Sequence, residues 1–277
     1  MAYTLAHISD LHFGRLRDAS IEEALLADLH ASESQLVVVS GDLTQRARRR
    51  QFLRARRFLD RLEIPYLVIM GNHDVPAWYH PVERLYHPYR RYRRYIQQAL
   101  CSSYEASELA VFGLHTAHGR TIKSGKLFPE ALEAMETFFR RQPSERVRVL
   151  AVHHPPVALP EIGQPSAISG GEHLLGRAKE LNVRLILTGH WHHALVRPLP
   201  EYGLWIIEAG TALSNRGRGR YRMVNSYFQI RLGGSSFQCM ERWYNPVLHR
   251  FELHCSQTYP LTAEQMSHEN TVLLPRT

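Results

Sequence analysis

The chain has 277 residues, of which 44% are apolar and 22% charged, with a net charge of +8 and 17 histidines. This is the composition of a globular protein long enough for a sizeable core. Its three cysteines (Cys101, Cys239 and Cys255) are odd in number and not in metal-type spacing, which argues against a disulfide framework. No apolar run approaches the roughly 20 residues that cross a bilayer, and no charged-then-apolar leader opens the chain, so a cytoplasmic location is expected. Only Lys123, Lys126 and Lys179 are lysines, leaving 31 of the 34 basic residues as arginine. Arginine suits bidentate recognition of phosphate, so the bias fits a phosphate-bearing substrate or a nucleic acid; the plainer alternative is an arginine-rich solvated surface.

Tyr3 to Ser9 reads as a first central strand that delivers Asp10-Leu11-His12. Residues i and i+2 of an extended chain point the same way, so Asp10 and His12 can grip one ion. Residues 20–31 read as a helix with Ser20 and Glu23 as a capping box. Leu36 to Ser40 is a second buried strand, ending in Gly41-Asp42-Leu43-Thr44, where glycine permits a tight turn. Residues 46–62 form a helix that buries Phe52, Ala55, Phe58, Leu59 and Leu62 and turns its arginines outward to solvent. Pro65 to Met70 is a third strand, ending in Gly71-Asn72-His73-Asp74. The Tyr/Arg-rich segment 78–100, broken by Pro88, is either a substrate lid that stacks bases and clamps phosphates or an amphipathic helix whose long side chains cover the core.

A strand over 108–115 ends at His115, and a helix spans 129–141. Val147 to Val152 delivers His153-His154-Pro155-Pro156, and after a helix near 172–181, Val183 to Thr188 ends in Gly189-His190-Trp191-His192. Strand-like runs follow at 203–208, 224–232, 236–243 and 248–254, with no helix among them. One domain is expected over 1–255, and a poorly ordered tail over 256–277.

Asp10, His12, Asp42, Asn72, His73, His153, His190 and His192 all fall where apolar strands end, the edge at which open α/β sheets bind ligands. Carboxylate, imidazole and amide oxygen without thiolate suit Mn, Fe, Zn or Co. The seven plausible ligands among these eight are too many for one ion but suit two that share a carboxylate and leave positions open. Two ions roughly 3.5–4 Å apart clamp the attacking and leaving oxygens of a displacement at phosphorus. His7 reads as a packed histidine and His154 as a neighbour of the ligands rather than one of them. His193 is either at the surface or substrate-facing. The basic stretch Asn215 to Arg222, with Arg216 and Arg218, is a loop at the substrate phosphate or simply solvated.

Taken in order, D-x-H at Asp10 and His12, G-D at Asp42, G-N-H-D at 71–74, the histidine at 153 and G-H-x-H at 189–192 resemble the calcineurin-like metallophosphoesterases. The match spans residues 10 to 192. The resemblance implies a four-layer α/β/β/α sandwich of two mixed sheets flanked by helices. It also implies two divalent ions, one on Asp10, His12 and His192, the other on Asn72, His153 and His190, with Asp42 bridging them. A hydroxide bridging the metals would attack phosphorus, with His73 facing the leaving group and Asp74 orienting its ring.

The opening His7 to Gly14, with Gly41-Asp42-Leu43-Thr44 and the GNHD, is most similar to bacterial cyclic-nucleotide and glycerophosphodiester phosphodiesterases. It departs from the protein-phosphatase patterns, which disfavours phosphoprotein substrates. The expected substrate is a small, nucleotide-type phosphodiester. The alternatives are a UDP-2,3-diacylglucosamine diphosphatase of lipid A synthesis, whose lipid substrate would bring it to a membrane, an SbcD-like nuclease acting on nucleic acid, and a non-catalytic metal-binding scaffold.

Overall fold

The computed structural model describes residues 2–261. Its first strands are β1 (Tyr3–Ile8), β2 (Leu36–Val39), β3 (Tyr66–Val68), β4 (Ser102–Glu105) and β5 (Leu109–Leu114), followed by the short β6 (Gly125–Lys126). β7 (Val147–Val152), the short β8 (Ile168–Ser169), β9 (Val183–Thr188), β10 (Leu195–Leu199) and β11 (Leu204–Glu208) come next. β12 (Ser226–Gly233), β13 (Ser236–Asn245) and β14 (Arg250–Pro260) close the series. One six-stranded sheet has the order β14-β13-β12-β1-β2-β3, the other β10-β11-β9-β7-β5-β4, and β6 pairs with β8 apart from both. Both large sheets are mixed: β1, β2 and β3 run parallel in the first and β5, β7, β9 and β11 in the second, with antiparallel strands outside them.

Alternation along the parallel strands builds the layers. In β2, Leu36 and Val38 join the core between the sheets, while Val37 and Val39 join the core under the helices. In β7, Val149 and Ala151 face the other sheet, and Leu150 and Val152 face outward to helices. A strand covered on both faces therefore reads as a continuous apolar run. Helices α1 (Ile21–Ala31) and α2 (Arg49–Asp60) cover the first sheet. The short α3 (Pro81–Tyr86) and α4 (Arg90–Tyr95) follow β3, and α5 (Pro129–Arg140) and α6 (Gly171–Glu180) cover the second sheet. The four-layer sandwich expected from the sequence is present. No helix among the described residues is long and apolar enough to cross a membrane.

Several local expectations are corrected. Ser20 makes no side-chain cap; Asp18 Oδ1 instead accepts from the backbone N–H groups of Ser20 and Ile21, both at 2.9 Å. Glu23, freed from the capping box, pairs with Arg61, just past the end of α2, at 2.6 Å. The arginines of α2 are thus partly structural, since Arg54 also reaches Glu22 of α1 at 2.8 Å. Segment 78–100 is two short helices, not one, because Pro88 forbids continuation.

β4 and β10 were not foreseen. β10 holds Pro198 and lies at a sheet edge, where a missing N–H is tolerated. β14 runs on to Pro260, so residues 256–260, expected as tail, pair with β13. Its exposed Ser256 and Thr258 look like tail in sequence because an edge strand has one wet face. The remainder of the expected tail lies outside the described residues.

The closing strands are tied to the helical layer by Asp28 of α1. Its carboxylate takes both Arg242 Nε and Nη2 at 2.6 Å and the Tyr227 hydroxyl at 2.5 Å. Asp28→Ala leaves a half-buried guanidinium and a buried phenol without an acceptor. It is expected to lower stability by about 1–3 kcal/mol, read as a lower urea midpoint with unchanged slope. A midpoint equal to wild type would show that this tie contributes nothing.

Candidate metal centre

Every parallel strand of the first sheet and two of the second stop at one seam, and each leaves a polar residue there. β1 leads to Asp10 and His12, β2 to Asp42, β3 to Asn72 and His73, β7 to His153 and β9 to His190 and His192. Turning the chain sharply at each strand end places Asp10, His12, Asp42, His190 and His192 at φ between 44° and 82°, a left-handed region that non-glycine residues seldom occupy. Strain concentrated on five side chains of one site is the pattern of a functional centre held by its surroundings. Gly41, at φ 106°, has no alternative: a Cβ there would stand 2.6 Å from His153 Nδ1.

Two groups of side chains result. Asp10, His12, Asp42 and His192 bring their ligand atoms within 4.8 Å of one another, as do His153, His154 and His190. Asn72 Oδ1 joins the second group, 3.0 Å from His190 Nδ1 and 3.3 Å from His153 Nε2. Asp42 stands between the groups, with Oδ2 3.6 Å from His12 Nε2 and Oδ1 3.4 Å from His153 Nε2.

The tautomers follow from the backbone. Nδ1 of His12, His153 and His192 faces the carbonyls of Thr44, Ser40 and Arg216 at 3.4, 2.8 and 2.7 Å. A carbonyl only accepts, so each Nδ1 carries a proton; the Nε2 of His12 and of His192 presents a lone pair to the centre, and that of His153 does so once its ring gives up its second proton. Holding the outer ring nitrogen on a carbonyl is how proteins orient metal-binding histidines. The bare Nε2 atoms of His12 and His192 then face each other at 3.1 Å and both face Asp10 Oδ1, which is buried without a hydrogen-bond donor. Converging lone pairs fit a cation between them.

Charge tells the same story. Burial raises the carboxyl pKa of Asp10 and Asp42, yet the histidines around them hold both well below the usual range, so both are ionised with essentially no exposure to water. Burial lowers His12 and His190 to about 3, leaving them neutral. At His153 burial also disfavours the charge, but Asp42, Asp10 and the Ser40 carbonyl together raise it to about 9. Two buried carboxylates against one imidazolium leave negative charge uncompensated, which is costly unless cations enter. The donors present therefore fit divalent metal.

His73 lies at the rim. Its Nδ1 donates to the Gln45 carbonyl at 2.9 Å, so its Nε2 accepts from Arg216 Nη1, also at 2.9 Å. Burial lowers its pKa, with Arg216 adding to the effect, so the ring is neutral.

Asp74 does not orient it, contrary to expectation. Its carboxylate accepts the backbone N–H groups of Thr44, Gly71 and Leu43 at 2.8, 3.0 and 3.1 Å, locking the loops after β2 and β3 together. Burial, then the Asp42 charge, pushes its pKa up to about 7.

Of the three expected substrate contacts, Arg216 touches His73, whereas His193 turns its Nδ1 to the Trp191 carbonyl and its ring to Tyr221. Arg218 acts through its charge on Arg216 and Glu208. His7 is packed as expected, bonded to Ser40 at 2.9 Å.

His154 is the neighbour of the ligands that the sequence suggested, whereas Glu208 and Gln45 carried no such expectation. His154 closes on the second cluster with its Nε2 buried and unpartnered, while its Nδ1 meets Thr116 at 2.7 Å. Glu208, fully buried, accepts from Trp191 N at 3.0 Å and so steadies the histidine loop after β9; the signal was an acid closing the apolar run Leu204–Glu208. Gln45 holds His73 through its carbonyl, which no side-chain pattern reveals.

A family model described as calcineurin-like phosphoesterase matches residues 3–194. A protein of Synechococcus named as a probable cyclic nucleotide phosphodiesterase is 26% identical over 208 residues, covering 71% of this chain and 76% of that one. Among solved structures, a purple acid phosphatase from yellow lupin superposes with a TM-score of 0.71 at 12% identity over 94% of this chain. The chain spans 54% of that enzyme's length. GAP50 of Plasmodium, an anchor of the inner membrane complex, matches with a TM-score of 0.54 at 10% identity, covering 94% of this chain and 89% of its own. These two likenesses concern the fold.

Asp74→Ala removes the acceptor of three buried N–H groups and is expected to cost about 2–4 kcal/mol, since each unsatisfied group costs roughly 1–3 kcal/mol. Urea denaturation measures it. A variant within about 0.5 kcal/mol of wild type would return Asp74 to a role confined to His73.

Proposed function

Because the chain belongs to the calcineurin-like phosphoesterases, metal-dependent hydrolases of phosphoric esters, we propose that its seam of aspartates and histidines holds two divalent cations and cleaves a small nucleotide-type phosphodiester. Asp10, His12 and His192 hold one ion; Asn72, His153 and His190 hold the other; Asp42 serves both. The observation that carries this reading is Asp42 itself, which turns one carboxylate oxygen to His12 and the other to His153. His154, its ring 4.8 Å from that of His190, supports the second ligand set. Mn, Fe, Zn and Co all suit these donors.

When bound, the cations supply Lewis acidity and lower the pKa of the water that attacks phosphorus. The protein's own groups do the rest. Arg216, half-buried and 2.9 Å from His73, donates to the phosphate oxygens as charge develops on them. His73, neutral and with its Nε2 accepting from Arg216, fixes the Arg216 fork at the rim of the centre. The phosphodiesterase reading, rather than another ester, is supported by the Synechococcus relative's name and by His73 itself, since the common lipid A hydrolases carry arginine at that position.

With the manganese-loaded protein, bis-p-nitrophenyl phosphate and 3′,5′-cyclic AMP are expected to be hydrolysed. Asp42→Asn should lose metal at both sites and nearly all turnover. Arg216→Ala should keep both ions while kcat falls about 10²-fold. Metal content by plasma mass spectrometry beside turnover separates the two. A fully loaded protein that hydrolyses neither ester, or an Arg216→Ala variant with wild-type kcat, would contradict the assignment.

A further inference from the structure

A groove of about 420 Å³ opens between the start of α2 and α4, lined by Arg48, Arg49, Arg90, Arg91, Arg94 and Tyr95. Glu83 is the carboxylate that answers this charge, 2.7 Å from Arg91 and 3.5 Å from Arg90. Among the described residues Arg48, Arg49 and Arg94 make no ion pair, and all three are exposed. Five guanidinium groups around one groove with one counter-charge form a site for a chain of anions, because each phosphate that enters releases counterions already gathered there. A single small phosphodiester at the metal centre has no use for it.

The groove starts close in the chain to the cleft at that centre. Arg46 lines a cleft with Asn72, His73 and Trp78, and its Nη1 lies 3.4 Å from His73 Nδ1. Ala47 follows and its carbonyl receives Arg91 Nη1 at 2.7 Å; Arg48 comes next. Two residues of chain span at most about 7 Å, so the arginine that lines the cleft and the first that lines the groove are near neighbours.

At the cleft end the indole of Trp78 is 67% exposed, edge-on to Tyr79 at 5.7 Å between ring centres. A large aromatic face left in water beside a phosphate site, with a basic groove close by in the chain, is the combination by which proteins hold single-stranded nucleic acid: bases stack on aromatics and the backbone follows the charge.

We propose that the nucleotide-type substrates of this centre extend to a short single-stranded oligonucleotide, with its scissile phosphate at the metal centre, a neighbouring base on Trp78 and its further phosphates in the arginine groove. This rests on the hydrolytic reading of the centre and names its substrate class. One water is consumed, the P–O bond to one ribose oxygen breaks, and that oxygen leaves as a hydroxyl while the phosphate stays on the other fragment as a monoester.

The test uses the full chain and a fluorescent twelve-residue oligothymidylate, with binding followed by anisotropy after chelation so that no cleavage occurs. Wild type should bind with affinity that falls steeply with salt. The Arg48→Ala/Arg49→Ala/Arg94→Ala variant should bind at least ten-fold more weakly, with a logarithmic salt slope shallower by about 2, as expected for three lost contacts to single-stranded phosphates. Inorganic polyphosphate of equal charge, having no bases, should compete at least ten-fold more weakly than unlabelled oligothymidylate.

Equal affinity and slope in variant and wild type would overturn the groove, and equal competition by polyphosphate would overturn the nucleic acid. Turnover of bis-p-nitrophenyl phosphate and of 3′,5′-cyclic AMP by the same proteins reloaded with manganese keeps the two readings apart. Turnover without oligonucleotide binding sinks the groove alone, whereas binding without turnover of either ester sinks the hydrolytic reading.

Discussion

Two carboxylates buried at the meeting edge of two sheets, Asp10 and Asp42, are the constraint around which the rest of the molecule is arranged. Both remain ionised with essentially no exposure to water. A lone buried charge would cost several kcal/mol, and here the backbone is bent to make that charge tolerable. Strand ends turn into left-handed conformations, glycine replaces larger residues where chains nearly touch, and three histidines are tethered through Nδ1 so that their Nε2 atoms point inward. The sandwich core supplies the rigidity that keeps these strained positions in place, because apolar side chains packed on both faces of each parallel strand leave the strand ends little freedom.

Around that pair the site divides labour by depth. The deepest atoms are bare acceptors that ask for cations. Above them Asn72 and His73 stand where a phosphate would approach, and above those Arg46 and Arg216 provide positive charge from two separate loops. Asp74 does its work sideways, stitching the loop after β2 to the loop after β3, so that Asp42 and Asn72 keep their relation to each other. A change in any one loop is therefore felt in the others.

Much of this was legible in the residues. Apolar runs of five or six residues, each closed by Asp, Asn or His, announced both the parallel strands and the edge at which they meet, because a strand buried on both faces has no other place for such groups. What escaped had physical reasons. Asp18 rather than Ser20 caps the first helix because the loop before it holds the Asp18 carboxylate over two backbone N–H groups. The role given to Asp74 failed because a carboxylate next to a histidine in sequence can equally reach backbone N–H groups, and buried N–H groups without partners are the more costly to leave. Contacts through carbonyls, such as Gln45 to His73, carry no residue signature at all. β10 and the end of β14 were hidden by a proline and by polar residues that only an edge strand accommodates.

The central claim is that the paired carboxylates exist to hold two cations. Titrating the metal-stripped protein with Mn²⁺ in an isothermal calorimeter, with native mass spectrometry of the end point, tests it most directly. The account predicts two ions bound per chain, falling to one in His192→Ala while Asp74→Asn retains both. A chain that saturates with a single ion, or binds none while remaining folded, would contradict it.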